Sequence, residues 1–141
     1  PYLTREFFTL AARDLGEALM VKAAMWRGNV VACAIFFRSS DTLYGRYWGA
    51  TADFHSLHFE TCYYQGIEYC IEQGLNAFEP GTQGEHKISR GVVPTETRSA
   101  HWLSHPQFAA AIDQYLDRER AHIDEYIEAA SDHVPYRKGT G

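Results

Sequence analysis

The chain has 141 residues, a formal net charge of −5 and a hydrophobic fraction of 45%, and these figures exclude several classes of protein. The length supports one core of ordinary domain size, and the hydrophobic fraction excludes a disordered chain. The acidic balance does not favour a broad nucleic-acid-binding surface. No apolar run approaches the ~20 residues that a membrane-spanning helix needs, and three cysteines without CxxC spacing indicate a reducing, cytoplasmic location.

The N-terminal part of the chain predicts a helix followed by an antiparallel meander. The helix covers Thr4 to Asp14, with Thr4 as its N-cap and Gly16 as its stop. Three apolar segments separated by short turns follow, and we predict strands over Leu19 to Trp26, Val30 to Phe37 and Leu43 to Trp48. Strict alternation along the third strand puts Tyr44, Arg46 and Trp48 on one face and Leu43, Gly45 and Tyr47 on the other.

The next part of the chain predicts a helical crossover into a parallel strand. Leu57 to Gln73 has helical periodicity, and Gly74 ends it. The predicted buried stripe of this helix is Phe59, Cys62, Tyr63, Gly66, Ile67, Cys70 and Ile71. The short strand that follows, Asn76 to Glu79, is reached through a helix, and we therefore expect it to lie parallel to its neighbour.

The C-terminal part predicts one more strand and a long helix. Thr95 to Leu103 alternates weakly, which favours a strand, and Pro106 begins a helix that runs to Ala130. The core face predicted for this helix is Phe108, Ile112, Tyr115, Leu116, Ile123, Tyr126 and Ile127. Together the elements predict an α+β fold with helices on both faces of the sheet. We expect one domain over residues 1–130 and a flexible tail over residues 131–141.

A loop rich in ionisable side chains follows the parallel strand, within the stretch Phe78 to Gly91. Ligands of α/β folds bind at the carboxyl ends of strands, so we expect a site here. The candidate general bases are Glu79, Glu85 and His86. The candidate substrate-binding residues in the same loop are Gln83, Lys87 and Arg90. The alternative interpretation is a solvated loop whose charges pair with one another.

Further candidates for substrate binding lie on the third strand and at the start of the crossover helix. They are Arg46, Trp48, His58 and Glu60. Each has a structural alternative, because a tryptophan commonly packs in a core and an acidic residue in the first turn of a helix favours the helix dipole. A metal site at His55 and His58 is the weaker hypothesis, since no recognised ligand spacing is complete, and we expect no metal. The cysteines on the helix are interpreted as core residues and not as nucleophiles.

Six sequence blocks resemble the FemAB-like family of bacterial N-acyltransferases. They are Leu43–Gly49, Leu57–Glu60, Cys62–Ile67, Phe78–Gly81, Gln83–Lys87 and Arg98–Trp102. The resemblance implies the acyltransferase fold of the GNAT superfamily, in agreement with the predicted order of elements. It also implies two such folds in tandem, with this chain as the C-terminal half and a missing N-terminal half as its partner.

The resemblance leaves the acyl donor open. Acetyl-CoA-using members of the superfamily hold the diphosphate in a glycine-rich loop, but Ala50 to Ser56 has no glycine and contains Asp53. The implied donors are acyl-CoA or an aminoacyl-tRNA, although the net charge does not favour tRNA. The predicted function is transfer of an acyl or aminoacyl group to an amine of a peptide, a small molecule or a cell-wall precursor. The alternatives are a non-catalytic module that binds a peptide or peptidoglycan fragment, and an assembly half whose role is to complete the tandem protein. Homo-oligomers of the isolated half would favour the second alternative.

Overall fold

The computed structural model describes residues 3–81 and 85–135, and its contacts divide the chain into two compact units, residues 1–82 and 83–141. The elements of the first unit are the helix α1 (Arg5–Leu15), a 3-10 turn (Gly16–Ala18), the strands β1 (Leu19–Trp26), β2 (Asn29–Arg38) and β3 (Thr42–Ala50), the helix α2 (Leu57–Phe59), a π-helical segment (Glu60–Tyr64), the helix α3 (Gln65–Gln73) and the strand β4 (Ala77–Glu79). The second unit has a 3-10 helix (Glu85–Arg90) and the helix α4 (Pro106–Ser131).

The ends of α1 are set by the two residues that the sequence indicates. The Thr4 hydroxyl accepts a hydrogen bond from the backbone N–H of Phe7 at 3.3 Å, which satisfies one of the free donors of the first turn. Gly16 ends the helix with a φ of 51°, a conformation that suits glycine. The predicted N-terminal helix is confirmed.

The four strands form one mixed sheet in the order β1-β2-β3-β4. The first three pair antiparallel, and β4 pairs parallel to β3 through Thr42 with Ala77, Leu43 with Phe78 and Tyr44 with Glu79. Both the meander and the parallel crossover strand are confirmed. The helical segment over residues 57–73 covers one face of the sheet, and the edge contact of Phe8 on Tyr47, at 5.7 Å between ring centroids, brings α1 to the other face.

A β-bulge in β3 changes which side chains share a face. The register with β2 pairs Phe36 with Gly45 and then Ile35 with Tyr47, so Arg46 is the extra residue. Because side chains alternate with a period of two, one extra residue moves everything after it to the opposite face. Trp48 therefore packs on the core side with Leu43, and the prediction that Arg46 and Trp48 share a face is wrong.

The core lies between the sheet and the crossover helix. Its buried residues are Ala34, Phe36, Leu43 and Cys70. A Cβ atom at Gly66 would lie 2.7 Å from the Cζ atom of Phe78, so only glycine allows the helix to lie this close to β4. The helix buries Gly66 and Cys70 towards the sheet, whereas Ile67 and Ile71 are exposed, which corrects their assignment to the buried stripe. The predicted single helix also contains the π-helical segment, which sequence periodicity does not reveal.

The second unit differs more from prediction. Residues 92–105 contain no strand, so the strand predicted over Thr95 to Leu103 is wrong. Its polar side chains bond locally instead: Arg98 pairs with Glu96 at 2.9 Å, and Ser99 contacts the His101 ring at 2.9 Å. The helix α4 is confirmed, but five residues of its predicted core face are exposed. They are Phe108, Ile112, Tyr115, Ile123 and Tyr126.

The observed class is α+β, as predicted. Among the described residues, no helix combines the length and apolar character that crossing a membrane requires. Sequence periodicity predicted α4 because periodicity depends only on the local spacing of apolar residues. Periodicity does not indicate which other element, if any, covers the apolar stripe of the helix. The extent of the domain and the flexible tail stay predictions, and residues 136–141 of that tail lie outside the described residues.

Candidate functional site

The candidate site of the first unit lies where β4 ends beside the bulge of β3. The parallel pairing stops at Tyr44 and Glu79, while β3 continues to Ala50. Pro80 follows directly, and its Cα atom lies 3.4 Å from the position that a Cβ atom would take at Gly45. Proline lacks the backbone N–H that a further ladder bond requires. The carboxyl end of β4 is therefore also the end of its pairing, the position at which α/β sheets bind ligands.

A carboxylate, a phenol and a guanidinium come together on one face at this strand end. Glu79 is exposed and is the parallel neighbour of the half-buried Tyr44. The guanidinium of Arg46 lies over the Tyr44 ring, with its Cζ atom 5.3 Å from the ring centroid. Its Nη1 atom also donates to the carbonyl of Gly45 at 3.0 Å. Two predicted site residues, Glu79 and Arg46, are thus placed on the same face, on either side of Tyr44.

The carboxylate of Glu79 is available for other interactions. Within residues 3–81 and 85–135, no ion pair or hydrogen bond to its side chain is found. The guanidinium of Arg46 bonds only to the carbonyl of Gly45 in the same part of the chain. A base and a cation that do not neutralise each other can both contact a bound molecule.

Two other predicted residues, Trp48 and His58, lie on the opposite face of the sheet. The rings of Trp48 and His58 meet edge to face with centroids 5.3 Å apart, and His58 meets the buried Tyr63 ring at 5.5 Å. Trp48 also packs against the hydrophobic core. This cluster of rings holds α2 and the π-helical segment on the sheet, which is the structural alternative considered for the tryptophan.

Glu60 belongs to a chain of polar side chains between the helix and the sheet. Its Oε1 atom accepts a hydrogen bond from Nε2 of Gln65 at 3.0 Å. The Oε1 atom of Gln65 in turn accepts one from Nζ of Lys22 at 3.3 Å. The amide thus links the carboxylate on the helix to the ammonium on β1. Glu60 thus orients Gln65, the residue that bonds to the sheet, and its predicted role in substrate binding stays a prediction.

The remaining candidates belong to the second unit. Lys87 is buried, and the loss of hydration lowers the pKa of its amine. The Nη1 atom of Arg90 donates to the carbonyl of His86 at 2.6 Å, and the Ser89 hydroxyl donates to the same carbonyl at 2.8 Å. Arg90 and Ser89 thus brace the 3-10 helix, while the His86 side chain is exposed.

The structure brings part of the predicted set together. Gln83 lies outside the described residues, as does the side chain of Glu85. Glu79 belongs to one unit and His86 to the other, so their convergence on one site stays a prediction. Sequence reasoning did not include Tyr44 in the site. The signal that would have found it is its cross-strand pairing with Glu79, which depends on the register.

The cysteines have the character of core residues. Burial, with a smaller effect of the nearby Cys33, raises the pKa of the Cys62 thiol to about 12. Burial also raises the pKa of Cys70. Thiols of this kind stay protonated near neutral pH and are poor nucleophiles. In the described part of the chain, no three His, Cys, Asp or Glu side chains form a group that could hold a metal ion.

Comparison with known proteins identifies the family. The model of the FemAB-like family, described as peptidoglycan biosynthesis/recognition, matches residues 1–138. No curated protein and no solved structure gave a significant match. The family match covers both units, including the strands β3 and β4 that carry the candidate site. The chain therefore belongs to the FemAB-like family of peptidoglycan biosynthesis or recognition proteins.

Proposed function

We propose that the protein transfers an acyl or aminoacyl group to an amine of a peptidoglycan precursor, with Glu79 as the general base. The observation that carries this proposal is the position of Glu79. Its carboxylate is exposed at the carboxyl end of a parallel strand, on the same face as Arg46, and no protein group neutralises it within the described residues. The family match supplies the class of substrate.

The chemistry requires a proton acceptor, and a cation near it can anchor a charged substrate. The acceptor amine attacks the carbonyl carbon of the donor, forming the N–C bond of the new amide. The C–O bond of an ester donor, or the C–S bond of a thioester, then breaks. Glu79 accepts the proton that the nitrogen loses, and this proton then passes from Glu79 to the departing oxygen or sulfur, so that the products are the amide and an alcohol or thiol. A positioned general base contributes about 10²–10⁴-fold to the rate of such a reaction.

Arg46 suits the anchoring role because its orientation is restrained. Contact with the Tyr44 ring and the bond to the Gly45 carbonyl limit the rotamers of the guanidinium before any ligand arrives. A guanidinium binds carboxylate and phosphate groups with paired hydrogen bonds, and precursors of the cell wall contain both groups. We assign Arg46 to the acceptor, with the amine held towards Glu79.

The second unit supplies further candidates for the same reaction. His86 is exposed and can serve as an alternative base, while the role of the buried Lys87 in substrate binding stays a prediction. The connection between β3 and α2 argues for a donor other than acetyl-CoA. It contains the exposed Asp53, and the backbone N–H of Leu57 bonds to the carbonyl of Phe54 within the same turn.

The decisive experiment measures transfer by the whole protein that contains this chain. Purified muropeptide precursor is incubated with aminoacyl-tRNA or acyl-CoA, and the amide product is quantified by mass spectrometry. Glu79→Gln should lower kcat by about 10²–10⁴-fold with little change in KM. Arg46→Ala should mainly raise KM, by about 10-fold or more. Glu17→Gln, an exposed carboxylate of the same unit, serves as the matched control and should leave both constants unchanged.

Transfer that persists at the normal rate in Glu79→Gln would refute the assignment of the base. Measurable binding of the precursor by the unaltered protein, without product from either donor, would instead support the recognition function that the family description also covers. The two outcomes are separated by measuring binding calorimetrically on the same samples.

A further inference from the structure

The outer face of α3 has an exposed surface that combines apolar and acidic side chains. An open groove of about 450 Å³ runs along it, lined by Tyr64, Ile67, Glu68, Ile71 and Glu72. Ile71 is 76% exposed and Tyr64 is 52% exposed. The candidate site at Glu79 uses none of these residues. We call this surface the α3 groove.

The α3 groove is costly to leave open. Moving a large apolar side chain out of water lowers the free energy of the protein. Ile71, the most exposed isoleucine among the described residues, therefore loses stabilisation by remaining in water. Glu68 and Glu72 lie one helical turn apart, a spacing at which like charges destabilise a helix. In the part of the chain that the structure describes, neither carboxylate has an ion-pair partner. The chain thus keeps an apolar strip beside two uncompensated negative charges.

The side chains are arranged as two parallel ridges of the helix. Ile67 and Ile71 form an apolar ridge at i, i+4 spacing, and Glu68 and Glu72 form an acidic ridge beside it. Helices pack by fitting i, i+4 ridges of one into the grooves of the other. A helix that fits this surface carries two apolar residues one turn apart, with lysine or arginine residues along one side of them.

We propose that the α3 groove binds a basic amphipathic helix of a partner protein. Charge complementarity decides the occupant, because the acidic ridge attracts cations and repels nucleic acid and anionic lipid. A second copy of this chain fits poorly. A two-fold dimer through this surface would place the acidic ridges of both copies in one interface, and the described residues that line the groove include no cation to compensate them.

The test uses synthetic peptides as probes of the partner chemistry. One fluorescein-labelled helical peptide has leucines at i and i+4 flanked by lysines, and the second has glutamates in place of the lysines. Binding is measured by fluorescence anisotropy with the whole protein. The lysine peptide should bind, with a Kd that rises with salt, and the glutamate peptide should bind at least about tenfold more weakly. The double variant Glu68→Gln/Glu72→Gln and the single variant Ile71→Ser should each weaken binding of the lysine peptide about tenfold.

The matched control is Glu125→Gln/Glu128→Gln, which removes two exposed acidic residues from α4 and should not change the Kd. Equal weakening by the control would show attraction to net charge alone and would overturn the proposal. So would equal binding of both peptides, or binding unaffected by the groove variants. A dimer in sedimentation experiments that Ile71→Ser abolishes would identify a second copy as the occupant and also overturn it. Acyl transfer should be unchanged in the groove variants, so this test is independent of the proposed reaction.

Discussion

Replacing Gly66 by alanine tests whether the close contact between the crossover helix and β4 holds Glu79 in place. A Cβ atom built at Gly66 lies 2.7 Å from Cζ of Phe78, and 3.1 and 3.2 Å from two further atoms of that ring. The Phe78 ring also packs near the buried Phe36, with centroids 6.2 Å apart. The added methyl group therefore forces the ring to move against the core.

Two opposing effects set the magnitude. Alanine is better than glycine in a helix interior by about 1 kcal/mol. Overpacking a core typically costs about 1–3 kcal/mol. The difference is a net loss of about 1 kcal/mol in the free energy of unfolding. With a urea m-value of about 1–3 kcal/mol/M, the unfolding midpoint should fall by about 0.3–1 M.

The assay is urea unfolding followed by far-UV circular dichroism, repeated in a Phe78→Leu background. Leucine removes the ring atoms that the new Cβ atom would meet. In that background only the helix-propensity effect remains, so Gly66→Ala should stabilise the protein by about 1 kcal/mol. The change of sign between backgrounds measures the contact directly. Since Phe78 precedes Glu79, Gly66→Ala should also reduce acyl transfer in the whole protein.

The reasoning fails if Gly66→Ala has the same effect on stability in both backgrounds. Stabilisation of the otherwise unaltered protein would show that Phe78 adapts without cost and that the helix does not need glycine at this position. Gly74→Ala is an informative companion, because Gly74 has a φ of 64° and no atom within 4 Å of its built Cβ atom. It should destabilise through backbone strain alone, and Phe78→Leu should not rescue it.

Two further predictions concern pKa values. Burial and the nearby Cys33 raise the pKa of the Cys62 thiol to about 12. Cys62 should therefore react with a disulfide reagent at pH 8 far more slowly in the native protein than in urea. Equal reaction rates in the two conditions would contradict the burial of Cys62. Because loss of hydration lowers the pKa of Lys87, the folded state releases this proton at lower pH than the unfolded state does. The free energy of unfolding of the unaltered protein, measured relative to that of Lys87→Met, should therefore rise as the pH increases from the lowered pKa towards the ordinary lysine value. A difference between the two proteins that does not change with pH would refute the shift in pKa.

Elements set by local chemistry were predictable from the sequence. Thr4 and Gly16 delimit α1 because an N-cap hydroxyl and a positive-φ stop act on neighbouring residues. The antiparallel meander of the first three strands and the parallel orientation of the fourth also followed, because short turns favour antiparallel neighbours and a helical crossover favours a parallel one. Which strand β4 pairs with did not follow. The strand predicted over Thr95 to Leu103 failed for the complementary reason. Weak alternation of apolar and polar residues is not enough to form a strand where side chains bond to neighbours two residues away, as Arg98 does with Glu96.

Burial along the crossover helix could not be predicted from periodicity alone. The apolar stripe of seven residues is wider than the part of the helix surface that the sheet covers. The sequence does not indicate which edge of this stripe remains exposed to solvent. The closest contact falls on Gly66, the residue without a side chain, because that is where the helix can lie nearest to Phe78. Ile67 and Ile71 are turned outwards as a result, and they line the α3 groove.

The composition of the candidate site depends on one backbone feature that alternation does not show. With Arg46 in regular register, its side chain and that of Trp48 would share a face, as predicted, and the site would combine a cation with an indole. Arg46 keeps the side of Tyr44 and Glu79 that regular alternation gives it, whereas the bulge moves Trp48 into contact with His58 across the sheet. The carboxylate and the guanidinium share one face, and the bulge leaves the indole to stabilise the scaffold on the other. A bulge is defined by the pairing with β2, which is a contact between distant segments of the chain. The separation of Trp48 from the charged pair is therefore a product of tertiary structure, as is the pairing of β4 with β3 that brings Glu79 beside Tyr44.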